Sequence, residues 1–402
     1  MLSTKNDFLN KLIDAFIGKG AFILFSLLFS LIATRLYGIE TFGEYTFAFT
    51  LASILMILSK AGLDNGLIYT MPKTKDKYVS LSLLVNLIFS LLIIIVTFIF
   101  VKDNYIRFML PLIWLLSVEQ VFFGIYRAEG KIKEFFLVNG FFSMIIRVCV
   151  LLVLYYLYGD SPYVLALSVY FSLIVSNLIY FVQNRSKIKK IEFDFSFISY
   201  SLFLVLANLL GVLMGKVDII MLGILSTKEN VGIYQIVVQV TSVVSLILIV
   251  FSTVFAPKIS EYYHQNNYEG IRKLYVKASR MLSSIGLLIT IVLIVFSHFF
   301  LGIFGEDATK GSMALIYLSL GQLINISVGS VWTIMAMTGK PKLQLYANII
   351  AFTTNIVLNY IFIPKYGMSG AAFASMITHF ITNALGYTAV SKRFNIKAFK
   401  LF

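Results

Sequence analysis

Charge is scarce in this chain of 402 residues: Asp, Glu, Lys and Arg together make up 13% of it, against roughly 25% in a soluble domain. With 59% hydrophobic residues and a mean hydropathy of +0.89, the chain is expected to be an integral membrane protein. Cysteine is almost missing. The lone Cys149, in an apolar run, excludes an intramolecular disulfide and any cysteine-based metal cluster. Three histidines, His264, His298 and His379, are scattered without metal-ligand spacing. A phosphate-binding glycine loop is also lacking, because Gly18-Lys19 and Gly339-Lys340 have neither the preceding glycine nor the following hydroxyl residue. ATP is therefore not expected to drive this chain directly. The few acids fall in separate apolar runs, so no paired-carboxylate or Ser-His-Asp arrangement can be built and no enzyme activity is expected. No small-residue cleavage site follows the long first apolar run, so a cleavable signal is not expected.

What is present is a series of long apolar runs. About 20 mostly apolar residues cross a bilayer, and twelve such runs can be marked, at about 14–34, 45–70, 80–101, 108–127, 136–158 and 163–183, then 199–226, 232–256, 278–300, 312–336, 344–363 and 368–390. Short alternating segments of the β-barrel kind are absent. The expected fold is an all-α integral membrane protein. The net charge of +14 invites a nucleic-acid reading. The basic residues, however, lie in short clusters between the runs, which is the mark of cytoplasmic loops, and no nucleic-acid partner is expected. With the N-terminus inside, 23 Lys and Arg fall on the inner side and six on the outer, which places both termini in the cytoplasm.

The halves repeat. Gly130-Lys131-Ile132-Lys133 followed by Asn139 is matched by Gly339-Lys340-Pro341-Lys342 followed by Asn348 at the same spacing. Tyr158-Gly159 returns as Tyr366-Gly367, one residue out of step. Phe42-Gly43-Glu44-Tyr45 is matched by Val231-Gly232-Ile233-Tyr234, and Pro72 by Pro257. Six runs per repeat is an even number, so the halves enter the membrane in the same orientation, as a parallel pseudo-two-fold repeat. The expected organisation is a six-helix lobe over 1–183, a cytoplasmic linker over 184–198 holding Arg185 to Lys190, and a second six-helix lobe over 199–402. The stretch Lys258–Lys277 is expected to form an amphipathic surface helix.

These segments resemble the polysaccharide-transporter branch of the multidrug/oligosaccharidyl-lipid/polysaccharide exporter superfamily, the Wzx-type flippases. Gly38 and Phe42-Gly43-Glu44-Tyr45 carry the resemblance in the first half. In the second half it rests on Asp218-Ile219-Ile220-Met221-Leu222-Gly223, Val231-Gly232-Ile233-Tyr234 and Pro257, then Thr338-Gly339-Lys340-Pro341-Lys342, Asn355, Asn359, Ile363-Pro364, Tyr366-Gly367 and Gly370-Ala371-Ala372. The resemblance implies two six-helix lobes around a central cavity, alternating access, and a polyprenyl-diphosphate-linked oligosaccharide as cargo for surface polysaccharide synthesis. Other polysaccharide-assembly membrane proteins are implied as partners, beside the bilayer itself. The alternative within the superfamily is a proton- or sodium-coupled exporter of drugs or other small molecules. No cofactor is expected beyond such a coupling ion, H+ or Na+.

An ionised side chain inside a span costs about 2.5–3.5 kcal/mol on insertion scales and marks a cavity or a partner. Lys60 and Asp64 stand four apart and can pair on one face. Lys216 and Asp218 lie in the seventh run, Glu119 in the fourth, Arg147 in the fifth. These six are the candidate cargo-cavity residues, with Lys60, Arg147 and Lys216 facing the anionic diphosphate and Asp64 and Asp218 as charge partners. The competing reading is a set of salt bridges joining helices. Lys19 is close enough to the inner boundary to snorkel. Polar stripes at helical spacing accompany these charges: Asn139, Ser143 and Arg147; Asn208, Gly211, Gly215 and Asp218; Gln235, Gln239 and Ser242; Gln322, Asn325, Gly329 and Thr333; Asn348, Asn355 and Asn359. Their recurrence suits a hydrated lumen. His379, beside Thr378 and Thr382, is a candidate proton carrier or a helix-contact residue.

Overall fold

A computed structural model describes the backbone of residues 5–395 and their side chains, other than those of 5–19, 21, 203, 204, 206–208, 250, 253 and 254. The described residues are almost wholly helical, with no strand among them. Nine helical segments among them are long and apolar enough to cross a membrane by length and composition alone. The last, Pro341–Phe394, has 54 residues, about 80 Å of helix at 1.5 Å per residue, enough for two crossings. The remaining two crossings are the first helix, whose apolar part is Phe22–Tyr37, and the broken pair of the seventh run. The protein is a multi-pass membrane protein of twelve transmembrane helices in two six-helix lobes.

The first six crossings are α1 (Lys5–Tyr37); α2 (Ile39–Ser59) with α3 (Leu63–Thr74); α4 (Val79–Phe100); α5 (Asn104–Met109) with α6 (Leu112–Glu129); α7 (Ile132–Phe136), a π turn Leu137–Phe142 and α8 (Ser143–Tyr158); and α9 (Pro162–Gln183). The second run, read as one crossing, is interrupted at Lys60-Ala61-Gly62, where Ala61 and Gly62 take φ of 50° and 69°. A left-handed pair ends the helical hydrogen-bond ladder. Gly62 has a second reason to be glycine, since a Cβ there would stand 2.0 Å from the Ser201 carbonyl oxygen. Leu63, Leu67, Val79, Val121, Phe122, Ile125, Tyr180 and Phe197 form the apolar core on this side.

The later crossings are α10 (Phe195–Met214) with α11 (Val217–Leu225); α12 (Lys228–His264); α13 (Tyr268–Val295); α14 (Ser297–Gly302) followed by α15 (Ser312–Val328) and α16 (Val331–Met337); and both halves of α17 (Pro341–Phe394). Within α17 Gly367 leaves helical geometry at φ 53°, ψ −132°, and a Cβ on Gly370 would lie 2.3 Å from the Phe362 carbonyl oxygen. The chain reverses there, at the expected boundary between the eleventh and twelfth runs. Packing divides the chain after Lys216, so that α10 packs with the first unit, on α2 and α3, and α11 opens the second. The segment 184–198 holds a short turn, Arg185–Lys187, and then a non-helical stretch up to Asp194. Lys258–Lys277 is no separate surface helix. It continues α12 to His264, turns at Gln265–Asn267 with Asn266 at φ 56°, and enters α13, whose start is capped by Asn267 Oδ1 accepting from Gly270 N at 2.8 Å.

Candidate functional site

Each unit buries a polar cluster around one of the candidate residues. In the first, Arg147 on α8 is 8% exposed. Its Nε donates to Ser172 Oγ at 3.1 Å on α9, and the guanidinium carbon lies 5.8 Å from the centre of the Phe29 ring on α1. Phe29 in turn meets Tyr45 of α2 edge to face, 5.7 Å between centres. Glu119 on α6 is 4% exposed; Ser176 donates to its Oε1 at 3.3 Å, and Asn139 in the π turn bonds the same carboxylate. Glu119 and Arg147 feel each other's charge but form no ion pair among the described residues. Among those residues Ser172 is the guanidinium's one acceptor, so the terminal nitrogens of the fork keep their donors for something else.

Lys60 and Asp64 do pair, Nζ to Oδ2 at 2.7 Å, across the break between α2 and α3 rather than along a continuous helix face. The ammonium is thereby neutralised, while Asp64 Oδ1 is buried without a partner. No described bond joins this pair to the Arg147 cluster. Lys216 and Asp218 are not a pair. Residues two apart on a helix do not face each other, and a turn at Gly215-Lys216 separates α10 from α11. Lys216 is half-buried and its ammonium has no carboxylate partner among the described residues. The side chains of Lys19 and Asn208 lie outside the described residues.

Asp218 instead anchors the cluster of the second unit. Its Oδ1 accepts from Asn359 Nδ2 at 2.7 Å; its Oδ2 accepts from Ser375 Oγ at 2.5 Å and from the Tyr234 hydroxyl at 2.7 Å. Asn359 Nδ2 also reaches Asn355 Oδ1 at 2.9 Å, leaving Asn359 Oδ1 buried and unpartnered. One turn beyond Ser375, His379 stands within electrostatic reach of Asp218, its ring against Gly321. The polar stripe continues through Asn383, which donates to Asn325 Oδ1 at 3.2 Å, while Ser245 donates to Gln322 Oε1 at 2.7 Å. Nothing in the chemistry of Tyr45, Tyr234, Ser172, Ser176 and Ser375 marks them in the sequence. The two tyrosines were nevertheless visible as repeat markers at matching positions.

The repeat aligns the two clusters residue by residue. Phe29 precedes Tyr45 by sixteen residues, as Asp218 precedes Tyr234. Arg147 precedes Gly159 by twelve, as Asn355 precedes Gly367. The one-residue slip between Gly130–Gly159 and Gly339–Gly367 has a structural cause: the π turn Leu137–Phe142 accommodates an extra residue, and the equivalent part of α17 is continuous α-helix. Equivalent places thus hold Phe29, Tyr45 and Arg147 in the first lobe, and Asp218, Tyr234 and Asn355 in the second. Arg147 thus stands where the second lobe has the neutral Asn355, and Asp218 where the first lobe has Phe29.

Twelve crossings in two lobes with a polar interior in each define a transporter fold, and solved structures agree. An inward-facing multidrug resistance MATE family transporter of the MOP superfamily superposes with a TM-score of 0.78 at 16% identity, over 93% of this chain and 94% of that one. An outward-facing form of such a transporter gives 0.66 over 96% and 95%, and a MOP superfamily transporter from Pyrococcus furiosus gives 0.67 over 96% and 95%, both also at 16% identity. At that identity the likeness concerns the fold alone. The chain belongs to the polysaccharide biosynthesis protein family, whose model matches residues 10–263; the MatE model matches 204–361. A capsular polysaccharide biosynthesis protein of Staphylococcus aureus, CapF, is 23% identical over 87% of this chain and 91% of its own length. A protein of Haloferax volcanii named a probable low-salt glycan biosynthesis flippase, Agl15, is 27% identical over 50% of this chain and 43% of its own length. A second one from that organism, named a probable flippase, AglR, is 23% identical over 46% and 40%.

Proposed function

We propose that this chain is a flippase of the cytoplasmic membrane that moves a polyprenyl-diphosphate-linked oligosaccharide from the inner to the outer leaflet by alternating access. The observation that carries the reading is Arg147, a buried guanidinium with open donors inside a membrane crossing. A planar fork with free N–H groups suits a phosphate oxyanion better than a point charge does. Family membership and the names of the relatives supply the glycan. Lys216, half-buried without a carboxylate partner, is a second anion contact in this reading. Lys60 contributes only if its bond to Asp64 opens. Glu119 acts on Arg147 through its charge.

In the same reading the Asp218 cluster serves the coupling ion. A carboxylate, two asparagine oxygens and two hydroxyls are oxygen donors for Na+, and Asp218 beside His379 is equally a proton acceptor. The lobes then divide the labour, anionic head group in the first and coupling cation in the second. The protein works without an enzymatic step, with both termini in the cytoplasm and 184–198 as the covalent link between repeats. Other polysaccharide-assembly membrane proteins would supply and receive its cargo. The test is translocation of a fluorescent polyprenyl-diphosphate oligosaccharide by the purified protein in vesicles, with a proton or a sodium gradient imposed. Transport under either gradient supports the reading. Failure with several such glycans, together with export of cationic drugs, would return the chain to the small-molecule alternative, for which the single carboxylate Asp218 is a cation contact in the second lobe.

A further inference from the structure

We infer that the segment Ile188–Phe195 is an interfacial strap that lies on the bilayer and recognises anionic phospholipid head groups. No helix forms between Lys187 and Phe195, and the backbone is extended at Ile188 and at Asp194. Side chains of an extended segment alternate between two sides, and here the sides differ in kind. Glu192, although 63% exposed, and Asp194 lie on the side that meets Lys77 and Tyr78. Lys77 bridges Glu192 at 3.3 Å, and the Tyr78 hydroxyl donates to Asp194 Oδ2 at 2.6 Å. Ser80 Oγ holds the backbone of Lys189 from both sides, donating to its carbonyl at 2.7 Å and accepting from its N–H at 2.8 Å. Ile191, Phe193 and Phe195 occupy the other side, and the two phenylalanines are 76% and 83% exposed.

Two bare phenylalanines on a segment tethered this firmly call for a cover. The bilayer is the occupant that fits. The strap leaves α9 and enters α10, both membrane crossings, so it lies where hydrocarbon gives way to head groups. Beside it the rings of Tyr69 and Tyr200 meet at 4.8 Å between centres, tilted by 33°, both exposed, an aromatic pair of the kind found at membrane interfaces. The charge also matches. Arg185 and Lys190 are exposed and have no carboxylate partner among the described residues, whereas Lys187 and Lys189 are engaged with Glu129 and Asp76. Two exposed cations just ahead of an apolar face attract an anionic surface.

The inference does not depend on what the protein transports, and a spectroscopic experiment reads it directly. In a Trp114→Phe, Trp332→Phe background, Phe193→Trp and, separately, Phe195→Trp are reconstituted into vesicles of phosphatidylglycerol or phosphatidylcholine, some carrying bromine near the head group. The strap predicts blue-shifted emission quenched at least about twofold by brominated lipid and little by aqueous acrylamide. It also predicts stronger lipid quenching in phosphatidylglycerol, with that excess removed by Arg185→Gln with Lys190→Gln. Emission of a water-exposed indole, quenched by acrylamide alone in both reporters, overturns the proposal. Blue-shifted emission that neither quencher reaches also overturns it, since another protein or a second copy then covers the face. Equal quenching in the two lipids overturns the head-group recognition.

Discussion

Among the described residues Arg147 makes one hydrogen bond, to Ser172, where its fork could make five. Removing it should therefore cost little stability and much affinity. Arg147→Ala is expected to weaken binding of a short-chain prenyl-diphosphate by about 1.5–3 kcal/mol, roughly ten- to hundredfold, with Arg147→Lys recovering only part of the loss; titration calorimetry in detergent measures both. Asp218 is the opposite case, because three donors converge on it. Asp218→Ala strands those donors and should lower unfolding stability by about 1–3 kcal/mol. Asp218→Asn should fold, bind the diphosphate normally and lose the dependence of transport on the ion gradient. A variant that keeps gradient-driven transport would remove Asp218 from coupling. Outside the membrane, hydrogen bonds from Ser196 and Tyr78 pull the Asp194 carboxyl down to about 2 from its ordinary 3.8. A depressed carboxyl stabilises the fold above its unfolded pKa and loses that contribution as pH falls through the folded one. The margin of wild type over Asp194→Asn in thermal unfolding should be full at pH 6 and shrink as pH falls from about 4 toward 2.

Among the elements, apolar run length made the twelve crossings and their order legible, since about 20 apolar residues span a bilayer whatever their packing. The interior breaks were not legible. Ala61-Gly62 sits inside a run that reads as continuous, and its turn depends on Ser201 of α10 pressing against Gly62. Likewise Lys216 and Asp218 look like partners in sequence, and only the packing of α17 against α11 shows that Asn359 and Ser375 take the carboxylate. The π turn was half legible, as a repeat one residue out of step whose cause needed the backbone. Such a turn absorbs an extra residue while the flanking helix keeps its phase. Deleting Phe141 should thus restore a plain α-helix and keep Arg147 facing Ser172. Deleting Ile145 from regular helix should rotate everything beyond it by about 100°. Activity retained by the first deletion and lost by the second, with both proteins monodisperse, is the expected result. Equal loss in both would detach the π turn from the register argument.

For the molecule as a whole, the buried cation Arg147 and the buried anion Asp218 belong to different lobes and fall at different repeat positions, opposite Asn355 and Phe29. The distribution of Lys and Arg predicts the sidedness. In a Cys149→Ser background, Lys273→Cys should react with an impermeant maleimide only after cells are opened, and Lys310→Cys should react in intact cells. The central claim concerns Arg147 and the diphosphate. Flipping of a fluorescent polyprenyl-diphosphate oligosaccharide should be measured in vesicles for wild type and Arg147→Ala, alongside a neutral lipid bearing the same glycan. The account predicts that wild type moves the diphosphate-linked glycan, and that Arg147→Ala slows it at least about tenfold while folding normally. The neutral lipid should be moved poorly by both. Equal transport of the diphosphate lipid by wild type and variant would contradict it.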